Sequence, residues 1–152
     1  MFKQVLVVCI GNICRSPTAE FLLRHRLQQS DASPDAVQVT SAGITAMVGQ
    51  PMEATAAQVL LEHGVDGGSH RARQLTSTML RDSDVVLVME KAHVTAVRRM
   101  APEFGDKVFL LGKWQANASI PDPYGLRREA FDRAYQLIER GVDGWLPHLQ
   151  AS

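Results

Sequence analysis

Residues 5–20 read VLVVCIGNICRSPTAE and contain the strongest structural signals of the chain. Residues 5–9 are apolar and mostly β-branched without alternation, which is typical of a strand buried on both faces of a parallel sheet. A Gly-Asn pair then interrupts the run. Ser16 followed by Pro17 predicts the start of a helix, with the serine as its cap and the proline at its first position. The stretch therefore predicts a strand, a tight loop and a helix that continues to about Gln29.

Strand-like and helix-like segments alternate along the rest of the chain. Buried strands are predicted at residues 37–41, 84–89 and 108–111, and helices at 52–63, at 90–100 and along an apolar face from Phe131 to Leu149. This alternation predicts the α/β class, with a parallel sheet and right-handed crossovers. Because the chain contains no repeat, linker or low-complexity tract, residues 1–152 are interpreted as one domain.

The composition excludes several classes of protein. Of the 152 residues, 45% are hydrophobic and 21% are charged, as in ordinary globular proteins. The 16 basic and 16 acidic residues cancel, so the chain has no net charge to attract nucleic acid. Two cysteines are too few for a secreted disulfide scaffold. The apolar run at 5–10 is too short to cross a membrane and lacks a signal-peptide cleavage site, which predicts a cytoplasmic protein without membrane insertion.

The loop at residues 9–16 has the chemistry of an oxyanion site. Successive backbone N–H groups in a tight loop bind anions, and the free N–H groups of the following helix point to the same place. Gly11 and Asn12 tolerate a positive φ, which such a loop needs. Arg15 adds a planar fork of donors for phosphate. The helix terminus and Arg15 both favour a thiolate at Cys9, which makes this residue a candidate nucleophile.

The spacing of Cys9 and Arg15 alone is compatible with a buried cysteine and a surface arginine. Their placement between a strand end and a helix start favours the phosphate site. Neither the G-x-x-x-x-G-K-[ST] nor the G-x-G-x-x-G pattern of nucleotide sites is present, so nucleotide binding fits poorly.

These motifs together resemble the low-molecular-weight protein tyrosine phosphatases of the bacterial type. The similarity covers nearly the whole chain through CIGNICRSPTAE at 9–20, SAG at 41–43, HRARQL at 70–75 and DPY at 122–124. The resemblance implies a four-stranded parallel sheet flanked by helices on both faces. It also implies hydrolysis of protein phosphotyrosine through a phosphocysteine intermediate, without a metal ion or another cofactor.

Asp122 lies between two prolines, and its sequence context alone favours a turn-forming role. The resemblance instead implies that Asp122 is the general acid that protonates the leaving phenolate. Cys9 is then the nucleophile, and Arg15 stabilises the transferring phosphoryl group. The implied phosphate-binding residues are those of the loop, Ile10, Gly11, Asn12, Ile13, Cys14, Arg15 and Ser16.

Further positions acquire expected roles from the same resemblance. Residues that support the loop are expected to be Asn12, Ser16, Ser41 and His70. Residues that contact the substrate are expected to be Ile13, Met47 and Tyr124. Tyr124 alone could equally be a tyrosine packed at a helix start, and Ile13 suits a phenyl ring better than phosphoarginine. The remaining histidines, His25, His63, His93 and His148, are interpreted as surface or helix-face residues, and Arg71 and Arg73 as a solvated basic edge.

Two interpretations of Cys14 stay open: a small buried residue, or a partner that protects Cys9 in a reversible disulfide. The main alternative function is a thiol-dependent arsenate reductase, which needs further cysteines near residues 80–90, where this chain has none. A non-catalytic phosphate-binding module is the third hypothesis, disfavoured by the presence of Cys9, Arg15 and Asp122 together. The expected partner is a phosphotyrosine protein, such as an autophosphorylating bacterial tyrosine kinase of exopolysaccharide or capsule synthesis, and the chain is expected to be a monomer.

Overall fold

The computed structural model describes residues 2–29 and 37–150. Its four strands are β1 (Gln4–Cys9), β2 (Gln38–Gly43), β3 (Val85–Val88) and β4 (Val108–Leu110). Its α-helices are α1 (Arg15–Gln28), α2 (Ala54–Glu62), α3 (Ser77–Asp82), α4 (Lys91–Met100) and α5 (Arg128–Gln150), with a 3-10 helix at Pro102–Lys107. Among the described residues, no helix is long and apolar enough to cross a membrane.

The strands form one parallel sheet in the order β2-β1-β3-β4. The register pairs Cys9 with Gly43, so β1 and β2 end at the same level. The chain leaves β1 toward β2 on one side and reaches β3 on the other. The carboxyl end of β1 is therefore the switch point of the sheet, which is where ligands bind in open α/β folds.

Helices cover both faces of the sheet, as expected. On one face, Val5 and Val7 belong to a buried cluster with side chains of α1, α2 and α5. On the other face, Leu6 and Val8 belong to a second cluster with side chains of α3 and α4. β1 is thus buried on both faces, which explains why its sequence is continuously apolar rather than alternating.

The structure corrects the predicted start of the first helix. α1 begins at Arg15 and its N-cap is Cys14, which makes no side-chain capping hydrogen bond. Ser16 is therefore inside the helix and does not cap it, and Pro17 occupies the third position instead of the first. A helix begins earlier than its strongest cap signal because the loop before it holds the backbone in place.

Two short elements were not predicted. α3 has six residues, of which only Leu80 is buried, so it is too short to display a helical period. The 3-10 helix that follows Ala101 likewise lacks an apolar repeat. The other predicted elements are present, and their ends shift by a few residues. β2, for example, continues through Ala42 to Gly43, where a loop was expected.

Candidate active site

The loop at residues 9–16 lies at the carboxyl end of β1 and leads directly into α1. Five carbonyl groups of the loop face away from its interior, because each accepts a hydrogen bond from outside the loop. Four accept from backbone N–H groups at 2.8–3.0 Å: Cys9 O from Ile44, Ile10 O from Thr45, Gly11 O from Met47 and Ile13 O from Glu53. The fifth, Asn12 O, accepts from His70 Nε2 at 2.6 Å. A trans peptide group directs its N–H opposite to its C=O. The N–H groups of residues 10–14 therefore face inward and form an anion-binding nest.

Asn12 is the residue that bends the loop. Its φ is +58°, in the left-handed region, whereas Gly11 does not adopt a positive φ. The expectation that both residues need this freedom is correct for Asn12 only. The Asn12 side chain is fully buried and donates from Nδ2 to Ser16 Oγ at 2.8 Å and to Ser41 Oγ at 2.9 Å. Its Oδ1 accepts from the Arg73 N–H at 2.9 Å, so Asn12 joins the loop to two other segments.

The four expected support residues meet around this asparagine. Ser16 Oγ lies 3.0 Å from Cys9 Sγ and also accepts from Asn12. Ser41 Oγ donates to the buried carboxylate of Glu20. His70 holds the Asn12 carbonyl, as noted above. Within the residues described, every buried side-chain nitrogen and oxygen atom has a hydrogen-bond partner, so this network is fully satisfied.

Arg15 is only 2% exposed and is fixed by groups distant in sequence. Its Nη1 donates to Glu90 Oε2 and to Ile120 O, both at 2.7 Å. Its Nη2 lies 3.7 Å from Asp122 Oδ2. Glu90 is the N-cap residue of α4 and was not predicted as a site residue. Glu90 directly follows the third strand, at the same edge of the sheet as Cys9, and this position could have identified it as a candidate site residue.

His93 lies on a helix face, as one of the two expected alternatives holds, but this face of α4 is buried and contacts Glu90 instead of being at the surface. The Met89 N–H donates to His93 Nδ1 at 3.3 Å, which places the proton of the neutral ring on Nε2. That Nε2 lies 3.4 Å from Glu90 Oε2. Burial, and then the positive charge of Arg15, lower the pKa of His93, so the ring is neutral. His93 thus orients the carboxylate that orients Arg15.

The loop forms the floor of an open cavity of about 220 Å³. Most of the residues expected to bind phosphate or substrate line it, together with Thr45, which was not predicted: Cys9, Ile10, Gly11, Ile13, Cys14, Arg15, Met47, Asp122 and Tyr124. Asn12 and Ser16, which were also expected to bind phosphate, are fully buried and are not among its lining residues. Cys9 and Ile13 are buried, whereas Met47 is 44% and Tyr124 54% exposed at the mouth. The cavity therefore has a polar floor and an apolar rim.

Asp122 lies at this rim with its side chain 48% exposed. Its Oδ1 accepts from the N–H of Tyr124 at 3.1 Å, a short-range turn contact of the kind its sequence context predicts. The carboxyl group nevertheless borders the cavity above Cys9 and Arg15. The turn thus serves to present Asp122 at the site.

Cys14 is a buried free thiol, like Cys9. Burial, followed by the negative charges of Glu53 and Asp122, raises the pKa of Cys14 well above its ordinary value. Cys14 is therefore a protonated thiol at neutral pH. Its protective disulfide with Cys9 stays a prediction.

Comparison with known proteins agrees with this geometry. The family model described as "Low molecular weight phosphotyrosine protein phosphatase" matches residues 4–152. The protein is 43% identical over 151 residues to the low molecular weight protein-tyrosine-phosphatase Wzb of Salmonella typhi, covering 99% of this chain and 97% of Wzb.

Solved structures agree as well. The Erwinia amylovora tyrosine phosphatase AmsI superposes with a TM-score of 0.91 at 44% identity, covering 99% of this chain and 95% of AmsI. Vibrio vulnificus Wzb, solved in complex with benzylphosphonate, has a TM-score of 0.90 at 42% identity, covering 97% of this chain and 99% of that one. The chain therefore belongs to the family of low molecular weight phosphotyrosine protein phosphatases.

Proposed function

We propose that the protein hydrolyses protein phosphotyrosine through a phosphocysteine intermediate formed on Cys9. The observation that carries this proposal is the position of Cys9 Sγ at the floor of a loop whose five outward carbonyls leave its N–H groups facing inward. Such a nest binds the three equatorial oxygens of a phosphoryl group and holds phosphorus in front of the sulfur. The Ser16 hydroxyl, 3.0 Å from Sγ, and the N-terminus of α1 both stabilise a thiolate there.

In the first step, the Cys9 thiolate attacks phosphorus and the bond from phosphorus to the tyrosine oxygen breaks. Asp122 donates its proton to that oxygen, so the tyrosine leaves as a neutral phenol. In the second step, the Asp122 carboxylate takes a proton from a water molecule, whose oxygen attacks phosphorus. The sulfur–phosphorus bond then breaks, which releases inorganic phosphate and restores the thiolate.

Arg15 is suited to bind the transferring group in both steps. Among the contacts of the described residues, Glu90 and Ile120 engage only Nη1. Nη2 lies 3.7 Å from Asp122 Oδ2, beyond hydrogen-bond distance, so Nε and Nη2 can both donate to two phosphoryl oxygens in a bidentate arrangement. Because the side chain is buried and already fixed, binding requires little further ordering of Arg15.

The rim favours an aromatic phosphate ester. Ile13, Met47 and Tyr124 offer apolar surface beside the loop, which suits the phenyl ring of phosphotyrosine. We further propose that the protein acts on an autophosphorylating tyrosine kinase of exopolysaccharide or capsule synthesis, as the family resemblance implies. A phosphatase with several phosphotyrosine substrates is the alternative.

The test measures phosphate release from a phosphotyrosine peptide, a phosphoserine peptide and phosphoarginine, with reductant and a metal chelator. We expect activity on phosphotyrosine alone and its loss in Cys9→Ser, with circular dichroism showing that the variant folds. Acid-quenched Asp122→Ala enzyme should retain phosphate on Cys9. Arsenate reduction without phosphate release would overturn the proposal in favour of the arsenate reductase.

A further inference from the structure

A second cavity of about 220 Å³ lies between α1, β2 and residues 69–73. We call it the rear pocket, and the residues that matter are Glu20, Arg24, Ser41, His70, Arg71 and Arg73. It shares none of its described lining residues with the cavity above Cys9. The rear pocket is therefore a separate feature that the proposed hydrolysis does not use.

The rear pocket carries an excess of positive charge. Its lining holds three arginines and one carboxylate, Glu20. Glu20 is buried and forms an ion pair with Arg24, while its other oxygen accepts from Ser41. One arginine charge and the only carboxylate charge of the lining therefore cancel.

The remaining two arginines contact neutral groups. Arg71 Nη1 donates to the carbonyls of His70 at 2.6 Å and Gly68 at 3.4 Å. Arg73 Nε donates to the Ser41 carbonyl at 3.1 Å. In the described part of the chain neither guanidinium has a carboxylate partner. Carbonyls orient the two groups without neutralising them, so two positive charges face one cavity.

We propose that the rear pocket binds an oxyanion of the phosphate class. A guanidinium presents planar, parallel donors that match two oxygens of phosphate, and two such groups match a dianion. A phosphate monoester carries a charge of about −1.5 to −2 at neutral pH, which balances the unpaired charge of Arg71 and Arg73. The ligand is either inorganic phosphate or the phosphoryl group of a larger molecule.

The rear pocket is also joined to the loop of the candidate active site. Three of its residues hold Asn12: Ser41 Oγ accepts from its side chain, His70 Nε2 donates to its carbonyl and the Arg73 N–H donates to its Oδ1. An anion on the arginines stabilises the segment that holds Asn12 at its positive φ. Occupancy of the rear pocket therefore favours the shape of the loop that binds phosphate, and by linkage each site strengthens the other. This coupling rests on the proposed function, whereas the binding does not.

The test is a titration of the 15N-labelled protein with inorganic phosphate, followed by amide chemical shifts. We expect the amides of residues 69–73 and those of residues 10–14 to follow two different binding curves. Arg71→Ala should weaken binding at residues 69–73 by about tenfold, the effect of losing one bidentate charged contact. The exposed Arg99 on α4, across the sheet, is the matched control, and Arg99→Ala should change neither curve.

A single shared curve, or an unchanged curve at residues 69–73 in Arg71→Ala, would overturn the site and leave a solvated basic edge. Because the readout is binding, failure of the proposed hydrolysis does not affect it. A parallel titration with glycerol 3-phosphate distinguishes the two kinds of ligand, inorganic phosphate and the phosphoryl group of a larger molecule. Comparable affinity supports a phosphoryl group on a carrier, and shifts with inorganic phosphate alone support the free ion.

The coupling between the rear pocket and the loop at residues 9–16 is tested by a separate measurement. The affinity of the loop for inorganic phosphate is compared in wild type and Arg71→Ala. We expect the variant to bind phosphate at residues 10–14 about fivefold more weakly, the lower end of typical allosteric coupling. An unchanged affinity there would overturn the coupling.

Discussion

The two sides of the candidate active site are built in opposite ways. The loop side is buried, and its polar groups are bound by residues far away in the sequence, as Asn12 and Arg15 illustrate. The acid side, at residues 122–126, is exposed apart from Pro123, and its backbone contacts are local: Tyr124 N–H donates to Asp122 Oδ1 and Leu126 N–H donates to Pro123 O. The loop side is thus fixed by distant partners, whereas the segment that carries the proposed proton donor is held mainly by its own neighbours.

This difference has a physical reason. A nest of N–H groups stabilises developing negative charge only if its dipoles are fixed before the reaction begins. A proton donor must instead meet leaving groups that arrive on different proteins, so its position benefits from freedom. Substitutions in the loop should therefore change both stability and turnover, whereas substitutions at residues 122–126 should change turnover alone.

The largest effect is expected at a glycine outside the loop. A Cβ atom added to Gly43 would lie 2.5 Å from Ile10 O and 3.0 Å from Asn12 N, both of them backbone atoms. Gly43→Ala should therefore displace the loop, abolish turnover and lower the melting temperature by at least about 10 °C, the shift of a loss of several kcal/mol. Thermal unfolding and phosphate release measure this.

Gly11→Ala is the matched control, because a Cβ there meets only side-chain atoms, at 3.7 Å and beyond. It should retain most of the stability although Gly11 lies in the loop itself. If both variants behaved alike, the close approach of β2 to the loop would not be what shapes it.

Asp122→Asn should lower turnover of a phosphotyrosine peptide by about 10²- to 10³-fold, the usual contribution of a general acid. The melting temperature should change by no more than about 2 °C, because the side chain is 48% exposed, its hydrogen bond is local, and its ion pair with Arg15 is long, at 3.7 Å. A large loss of stability would contradict the comparison, because it would show that Asp122 is as important for the fold as the residues of the loop side.

Asn12→Ala tests the loop side of the candidate active site. The change leaves the buried hydroxyls of Ser16 and Ser41 without their donor and forces alanine into a positive φ. Each unsatisfied buried group costs about 1–3 kcal/mol and the backbone strain about 1–3 kcal/mol. We expect the free energy of unfolding to fall by at least about 3 kcal/mol, measured by urea denaturation, and turnover to fall with it. Asn12→Gly, which relieves only the strain, should recover part of the stability and little of the turnover.

The smallest effect is expected at His93. His93→Ala removes the group that orients Glu90, so the turnover of a phosphotyrosine peptide should fall about three- to tenfold. The KM for that peptide should stay unchanged. His148→Ala is the control, since His148 is exposed and stacks on Trp114 away from the site. Equal effects of both substitutions would refute the positioning role.

The pH dependence of stability offers a second readout for the same residue. The fold lowers the pKa of His93, whereas the unfolded chain takes up this proton near the ordinary value of 6.5. As the pH falls below about 6.5, the unfolded state binds the proton first, so the free energy of unfolding decreases until the folded ring is also protonated. His93→Ala should lack this decrease. Urea denaturation at pH 7.5 and pH 5.5 measures the difference.

Much of the fold was predictable because its decisive signals are local. The continuous apolar run of β1, the Gly-Asn pair and the following helix are adjacent in sequence, and their order already places a loop at the sheet edge. The error at Ser16 arose from the same locality. Its hydroxyl caps nothing and instead serves Cys9, a contact that depends on how the loop folds back.

The parts of the site that were missed depend on contacts between distant segments. Glu90 and His93 follow the third strand and reach Arg15 only because β3 lies beside β1. The spacing of residues along the sequence does not show that these two strands are neighbours in the sheet. Asp122 was identified by the family resemblance, since a lone aspartate between prolines is a common turn residue.

The way Thr45 and Met47 attach to the loop bears on how this enzyme family could diversify. Their main-chain N–H groups hold the carbonyls of Ile10 and Gly11, while both residues line the mouth of the cavity. Every amino acid except proline supplies the same N–H group. Evolution can therefore exchange the side chains at positions 45 and 47, and with them the preference among substrate proteins, while the machinery for phosphoryl transfer is inherited unchanged.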